Sequence, residues 1–326
     1  MLILTESDLR AVLTMRDVID AVEQGFRALA RGHAEVPERL RLDVPAHGGV
    51  LLEMPAYADL EGADALGTKI VSVFEQNPRR GLEVVQAVYL LLDSETGVPL
   101  SLMDGRFITA IRTAATSAVA TKYMSLPGSR RLAVFGAGVQ AQFHIQAMME
   151  VAEIEKVMIV SRSAEKCRAL ADCVRTIHKL PCDVVPAEQA AAKANLICTC
   201  TSSPTPLFDG GLLSAGAHIN AVGAFTPSTR ELDTEAVRRS RVIIDAESAA
   251  GREAGEILIP ISQGVFNAGQ VKGTLAEVVS GTVAGRESPS QITLFKSCGL
   301  AIEDLVTARV AYARATDQGI GANVEM

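Results

Sequence analysis

Residues 131–151, RLAVFGAGVQAQFHIQAMMEV, constrain the fold of this chain more than any other segment. A short apolar strand runs into Gly136-Ala137-Gly138-Val139-Gln140-Ala141, and a helical pattern begins at once. This is GxGxx(G/A) in the strand–turn–helix setting that the dinucleotide motif requires. Gly136 permits the tight turn, Gly138 lets a pyrophosphate approach the backbone, and Ala141 lets the helix sit close to the strand. The helix N-terminus then faces the phosphates with its partial positive charge. Alone the motif is a weak signal, because glycines are common at strand ends. Its weight comes from the alternation downstream in the chain. KVMIVSR reads as a strand and SAEKCRALADCVRTIH as a helix, while CDVVPA, NLICTCTSS, AHINAVGA and RVIIDA read as further short apolar strands. Such alternation predicts an α/β fold, a Rossmann-type doubly wound parallel sheet with helices on both faces.

The end of the second strand bears on which dinucleotide is bound. NAD sites usually carry Asp or Glu there for the ribose 2′-hydroxyl, whereas NADP sites lack the carboxylate and often offer Arg. Here the strand VMIV ends in Ser161-Arg162-Ser163. Arg162 can pair with a 2′-phosphate and the two serines can support it; the alternative is a solvated arginine at a helix start. These residues favour NADPH and leave NADH use open.

Upstream the periodicity is different. Residues 4–33 read as one helix capped by Thr5 or Ser7, with Leu9, Val12, Leu13, Val18, Ile19, Val22, Phe26 and Leu29 at helical spacing. From 39 to 102 the period is two, and RLRLDV, GVLLEMPAY, GTKIVSVFE and VVQAVYLLLD read as strands. Gly48-Gly49, Asn77-Pro78 and Glu95-Thr96-Gly97 punctuate them as turns. Residues 107–124 return to a helix rich in small residues, and Pro127-Gly128 offers a domain boundary. Residues 300–314 form a last helix, able to fold back on the first domain.

Composition narrows the function classes. A chain of 326 residues that is 48% hydrophobic builds about two cored domains and is not disordered. With 4% aromatic residues and no Trp, aliphatic side chains must fill those cores. A net charge of −7 without a Lys/Arg cluster argues against nucleic-acid binding. The N-terminus has no basic region before its short apolar run and does not read as a signal peptide. No stretch of 18 apolar residues occurs, so no membrane span is expected, and the expected location is cytoplasmic. The six cysteines form no CxxC and the five histidines no HxH or HxxxH, so neither a disulfide framework nor a metal site is expected. Cys198 and Cys200 alternate in an apolar run and read as small core residues.

Met54-Pro55-Ala56-Tyr57, Lys69-Ile70-Val71, Met103-Asp104-Gly105, Ile111-Arg112-Thr113-Ala114-Ala115, GAGVQAQFH, AHINAVGA and LFKSCGLAIED occur in that order. Together they resemble the ornithine cyclodeaminase/mu-crystallin family over nearly the whole chain. The resemblance implies a homodimer. Each subunit would join a discontinuous α+β substrate and dimerisation domain, here 1–114 and 302–326, to a Rossmann domain at 115–301. The family includes ornithine and lysine cyclodeaminases, an alanine dehydrogenase, cyclic ketimine reductases and a thyroid-hormone-binding crystallin. Membership alone therefore leaves the reaction open.

The cations of the first domain can be weighed beside that resemblance. Lys69 alternates onto one strand face with Val71 and Val73, so it either snorkels at a strand end or points into a cleft. Arg112 lies in the first turns of a small-residue helix, on a stripe with Ala115, Thr116 and Val119. Arg41 alternates with Arg39 and Asp43, as on a plain solvated strand face. The resemblance assigns Arg41, Lys69 and Arg112 to a substrate carboxylate, with Lys69 the catalytic candidate. That agrees with the chemistry of a bidentate guanidinium fork and a compact ammonium charge. Gln86, an amide among apolar neighbours, either reaches the substrate or is a satisfied core amide. Thr113 and Arg112 are candidates for the cofactor phosphates, and Thr201, Val222 and Gly223 join Gly136, Ala137, Gly138, Val139 and Gln140 as candidate cofactor contacts. Lys296 either closes over the nicotinamide side or is a surface lysine.

One departure separates the reactions. In the family's cyclodeaminases an Asp follows the glycine at the end of the AHINAVGA-like strand and acts in catalysis; here that position is Ala224. Cyclodeamination needs oxidation, ammonia loss, attack by a distal amine and re-reduction, and alanine cannot move a proton. Imine reduction needs a held carboxylate, a protonated imine and an aligned hydride. The expected activity is therefore reduction of a small cyclic imino acid by NAD(P)H: Δ1-pyrroline-2-carboxylate to L-proline, or its six-membered analogue to L-pipecolate. The alternatives are a cyclodeaminase, an alanine-type dehydrogenase and a mu-crystallin-like binding protein.

Overall fold

Two threonine-led capping boxes divide the predicted N-terminal helix. Helix Glu6–Val12 is capped by Thr5 and helix Met15–Ala30 by Thr14, and each cap exchanges hydrogen bonds with an Asp three residues on, Asp8 and Asp17. Leu13 between them is extended, and Leu2–Leu4 is a strand. The apolar period runs through 9–29 because both helices bury residues of one face, but each T-x-x-D box starts a helix of its own.

The computed structural model describes residues 1–60 and 63–325. The chain divides into one unit of Met1–Arg112 with Leu300–Met326 and another of Thr113–Gly299. These limits fall just ahead of the expected 114/115 and 301/302. Among the described residues no helix is long and apolar enough to cross a membrane.

The first unit is built on a long antiparallel hairpin, Gly49–Leu60 with Ala63–Phe74, extended by Val85–Leu92 and Pro99–Asp104. Leu2–Leu4 adds in parallel to Pro99–Asp104, while Leu40–Val44 and Ala34–Glu35 pair with the other side of the hairpin. Alternation sorts the faces. Val50, Leu52, Met54, Ala56 and Ala58 are buried, and helices Met15–Ala30 and Ala301–Gln318 cover the sheet. The opposite face leaves Leu40, Leu42, Ile70 and Val88 exposed, at 57%, 54%, 41% and 41%.

The second unit is an eight-stranded, wholly parallel sheet. Its order is Cys182–Val184, Lys156–Val160, Arg131–Phe135, Leu196–Thr199, His218–Ala221, Ile292–Lys296, Ser240–Ile244 and Val271–Thr274. Strands buried on both faces explain the continuous apolar runs. Strand order reverses between Arg131–Phe135 and Leu196–Thr199, the switch point outside which open α/β sheets bind ligands. The doubly wound α/β expectation and the separate α+β domain both match this architecture. Ile292–Lys296 is the addition: sequence periodicity did not single it out, yet it lies inside the sheet, between the 218–221 and 240–244 strands. Cys198 is buried, whereas Cys200 at the strand end is half-buried.

Candidate active site

Each unit carries one candidate site. In the second unit the strand Arg131–Phe135 leads through Gly136 to helix Val139–Val151. Gly136 has φ +120°, and a Cβ there would lie 2.7 Å from the Cys200 carbonyl oxygen. Gly138 is the N-cap of the helix, no side chain caps it, and a Cβ on it would meet nothing within 4 Å. A bare glycine backbone facing open space at an uncapped helix start is what a pyrophosphate needs. Ala137, Val139 and Gln140 line the same turn, and the buried Gln140 Oε1 has no partner among the described residues. After strand Lys156–Val160, Arg162 is exposed and Ser161 half-buried. Ser163 is committed locally: its hydroxyl accepts the Lys166 N–H as the cap of the next helix. These residues fit a dinucleotide.

The neighbouring strand ends carry Thr201, Val222 and Gly223. Gly223 lies so close to Thr201 that a Cβ would sit 2.2 Å from the Thr201 carbonyl oxygen. Lys296 is not the surface lysine of the second expectation. It is fully buried on Ile292–Lys296, donates to the Ala224 carbonyl, and has its Nζ 3.0 Å from Glu256 Oε2. Burial opposes its charge, but the Glu256 carboxylate outweighs this and holds it above the ordinary lysine value. Lys296 is thus an interior tie rather than a surface group.

The first unit holds a buried ionic quartet. Lys69 sits on the helix-covered face of the sheet, in register between Met54 and Tyr89, and is 1% exposed. Its Nζ donates to Asp304 Oδ2 at 2.7 Å. Arg112 Nε donates to Asp304 Oδ1 at 3.0 Å and Arg112 Nη1 to Glu303 Oε2 at 2.6 Å. Glu303 and Asp304 occupy the first turn of helix Ala301–Gln318, and Glu303 Oε1 also accepts the Leu300 N–H. Carboxylates are favoured at that end of a helix. Burial, with help from neighbouring Arg112, pulls Lys69 down to about 8, against the opposing pull of Asp304. Burial also opposes the charge of Arg112, but Asp304 and Glu303 outweigh it and raise its guanidinium above the usual range.

The fold brings Lys69 and Arg112 together and leaves two other candidates outside. Arg41 shares their sheet face by register, but it is on the edge strand, about half exposed, and pairs with Asp43 at 2.7 Å. Gln86 is in register with Ser72 and so faces the other side of the sheet; its amide donates to the Glu83 carbonyl at 3.1 Å. Thr113, next to Arg112, is half-buried on helix Gly105–Met124. Glu303 and Asp304 join the cluster from outside the sequence candidates, although they lie in the LFKSCGLAIED motif and an acidic pair at a helix start is a readable signal.

The model of the ornithine cyclodeaminase/mu-crystallin family matches residues 1–319. A Δ1-pyrroline-2-carboxylate reductase of Bacillus cereus is 36% identical over 327 residues, covering 100% of both chains. Thermococcus litoralis Δ1-pyrroline-2-carboxylate reductase, solved in complex with NADH and L-proline, has a TM-score of 0.96 at 41% identity, over 99% of this chain and 100% of that one. An archaeal alanine dehydrogenase dimer with bound NAD has a TM-score of 0.94 at 33% identity, over 100% and 99%. In its motifs, its two sheets and its relatives, the chain belongs to the ornithine cyclodeaminase/mu-crystallin family.

Proposed function

We propose that the protein reduces Δ1-pyrroline-2-carboxylate to L-proline, and its six-membered analogue to L-pipecolate, using NADPH in preference to NADH. Lys69 and Arg112, fixed by one shared carboxylate in a buried cluster, carry this reading. They supply a compact charge and a planar fork for the carboxylate of a small imino acid. The reductase relatives from Bacillus cereus and Thermococcus litoralis support the reaction class.

When bound, the reduced nicotinamide supplies the hydride. That hydride would add to C2 of the protonated imine, the C=N π pair going to nitrogen and the iminium proton staying as the amine N–H. The protein then need not donate a proton, which suits a chain with alanine at position 224. Lys69 spends one of its three N–H donors on Asp304 and offers the others to the carboxylate. Arg112 fixes the carboxylate's angle, and Arg41 adds a third cation on release from Asp43. Gly136 and Gly138 hold the pyrophosphate, and Arg162 pairs with the 2′-phosphate.

The exposed Leu40, Leu42, Ile70 and Val88 on one sheet face support a homodimer, for which sedimentation velocity is the check. A cytoplasmic location suits an enzyme that draws on reduced dinucleotide. The decisive assay follows NADPH consumption with pyrroline-2-carboxylate, piperideine-2-carboxylate, and pyruvate plus ammonia. Turnover of the cyclic imines is expected; turnover of pyruvate plus ammonia alone would make the protein an alanine-type dehydrogenase.

A further inference from the structure

Glu231 is completely buried in the second unit, and its carboxylate collects four donors. Oε1 accepts the Thr201 backbone N–H at 2.6 Å and the Thr201 hydroxyl at 2.7 Å. Oε2 accepts the Thr199 hydroxyl at 2.7 Å and the Gly223 N–H at 2.8 Å. The donors come from the C-terminal ends of two adjacent parallel strands, Leu196–Thr199 and His218–Ala221. Glu231 is itself anchored, since its N–H donates to Glu256 Oε1 at 2.8 Å, and Glu256 faces Lys296.

A carboxylate is a costly group to bury unless hydrogen bonds replace its water, and here both oxygens are used. Two of the donors are backbone N–H groups on different loops, so the side chain cross-links the loops rather than capping either one. The cross-link leaves no slack, given the 2.2 Å that would separate a Cβ on Gly223 from Thr201. In a doubly wound sheet the glycine-rich turn takes the pyrophosphate, and the strands beyond the switch point form the second mononucleotide half.

Resting on the dinucleotide reading above, we infer that Glu231 is a positioning residue that holds the 199–201 and 222–224 loops in the shape that receives the nicotinamide half of the cofactor. The role is selective. It should govern the nicotinamide end and leave the adenine end, on the other side of the switch point, untouched.

Calorimetric titration of the whole protein with NADPH, and with 2′-phosphoadenosine 5′-diphosphoribose, which lacks only the nicotinamide, tests this without turnover. In Glu231→Gln the amide NH2 must face a backbone donor, and the Kd for NADPH should rise about 10- to 100-fold. The Kd for the truncated probe should change less than about twofold. Should Glu231→Gln fold poorly, Thr199→Val removes a single donor and should give a smaller rise with the same selectivity. Hydrogen exchange of the cofactor-free protein should show faster exchange at Thr201 and Gly223 in Glu231→Gln. Equal weakening of both probes, or an unchanged NADPH affinity, overturns the role of Glu231. Wild-type protein that binds neither NADPH nor NADH overturns the cofactor reading itself.

Discussion

Lys69 and Asp304 stand 235 positions apart in the chain and 2.7 Å apart in the fold, with side chains 1% and 0% exposed. Asp304 also receives Arg112, so one carboxylate sets the spacing of both cations. With Glu303 the cluster holds two cations and two carboxylates, a balance that lets it stay charged while buried. The energetic consequence is asymmetric. Replacing a whole buried ion pair by apolar groups can be near neutral, whereas deleting one member strands its partners.

Replacing Lys69 by Met keeps side-chain length and leaves Asp304 paired with Arg112. Loss of a charge-assisted substrate contact should cost about 2–4 kcal/mol, or about 30- to 1000-fold in kcat/KM for pyrroline-2-carboxylate. NADPH affinity, followed by fluorescence titration, should change little. A Lys69→Met enzyme with the parent rate would remove this lysine from the reaction.

Arg112→Leu is a harsher change. It leaves Glu303, buried at a helix start, without the 2.6 Å guanidinium contact, and Asp304 with Lys69 alone. Breaking a buried ion pair by removing one partner costs about 3–5 kcal/mol. Urea unfolding should show Arg112→Leu destabilised well beyond Lys69→Met; equal stabilities would mean that the quartet does not act as a unit.

The depressed Lys69 value gives a pH signature. The ammonium predominates below about 8 and is lost as pH rises through that value. Pyrrole-2-carboxylate, a planar ring acid with no other group titrating in this range, should bind with constant Kd below pH 7 and about tenfold more weakly per unit well above 8. Stability runs the other way. Between about 8 and the ordinary lysine value of 10.5 the unfolded chain holds more protons at this site, so the contribution of Lys69 to folding stability rises with pH across that window. Calorimetric binding at three pH values, with Lys69→Met as the flat control, decides the matter.

The parallel sheet was legible because strands buried on both faces write themselves as apolar runs, and the glycine turn sits between two of them. Local chemistry was less visible. The helix break at Leu13 hides within an unbroken apolar period and is betrayed only by Thr14 and Asp17. Lys69 could be placed on a face with Val71, but its partner lies on the last helix, beyond the reach of any local pattern. Glu231 and Lys296 look like ordinary charged residues in sequence; only the convergence of separate strand ends makes them interior ties. The face of Gln86 depended on register, which a single sequence does not fix.

Arg162 tests the cofactor preference. It is exposed at the end of strand Lys156–Val160, and no acidic residue shares the Ser161-Arg162-Ser163 turn. Arg162→Ala should raise KM for NADPH about 10- to 100-fold, with less than about a threefold change for NADH. Equal effects on both cofactors would place the arginine in solvent.

L-Ornithine should not be cyclised. Cyclodeamination needs a group that moves protons through ammonia loss and ring closure, and Ala224 stands where the family resemblance implies an Asp for that reaction. The structure shows how that position is used instead: Ala224 is buried, and its carbonyl accepts from Lys296, which also faces Glu256. Neither lysine nor glutamate stands free to substitute, because each is engaged with the other inside the second unit. Glu231, one step further along the same network, is spent on four donors. Incubation with L-ornithine and NAD should therefore release no ammonia above background, while the same preparation reduces pyrroline-2-carboxylate. Rapid formation of proline from ornithine would show that a proton-moving group lies elsewhere, and that the alanine at 224 does not separate the two reactions.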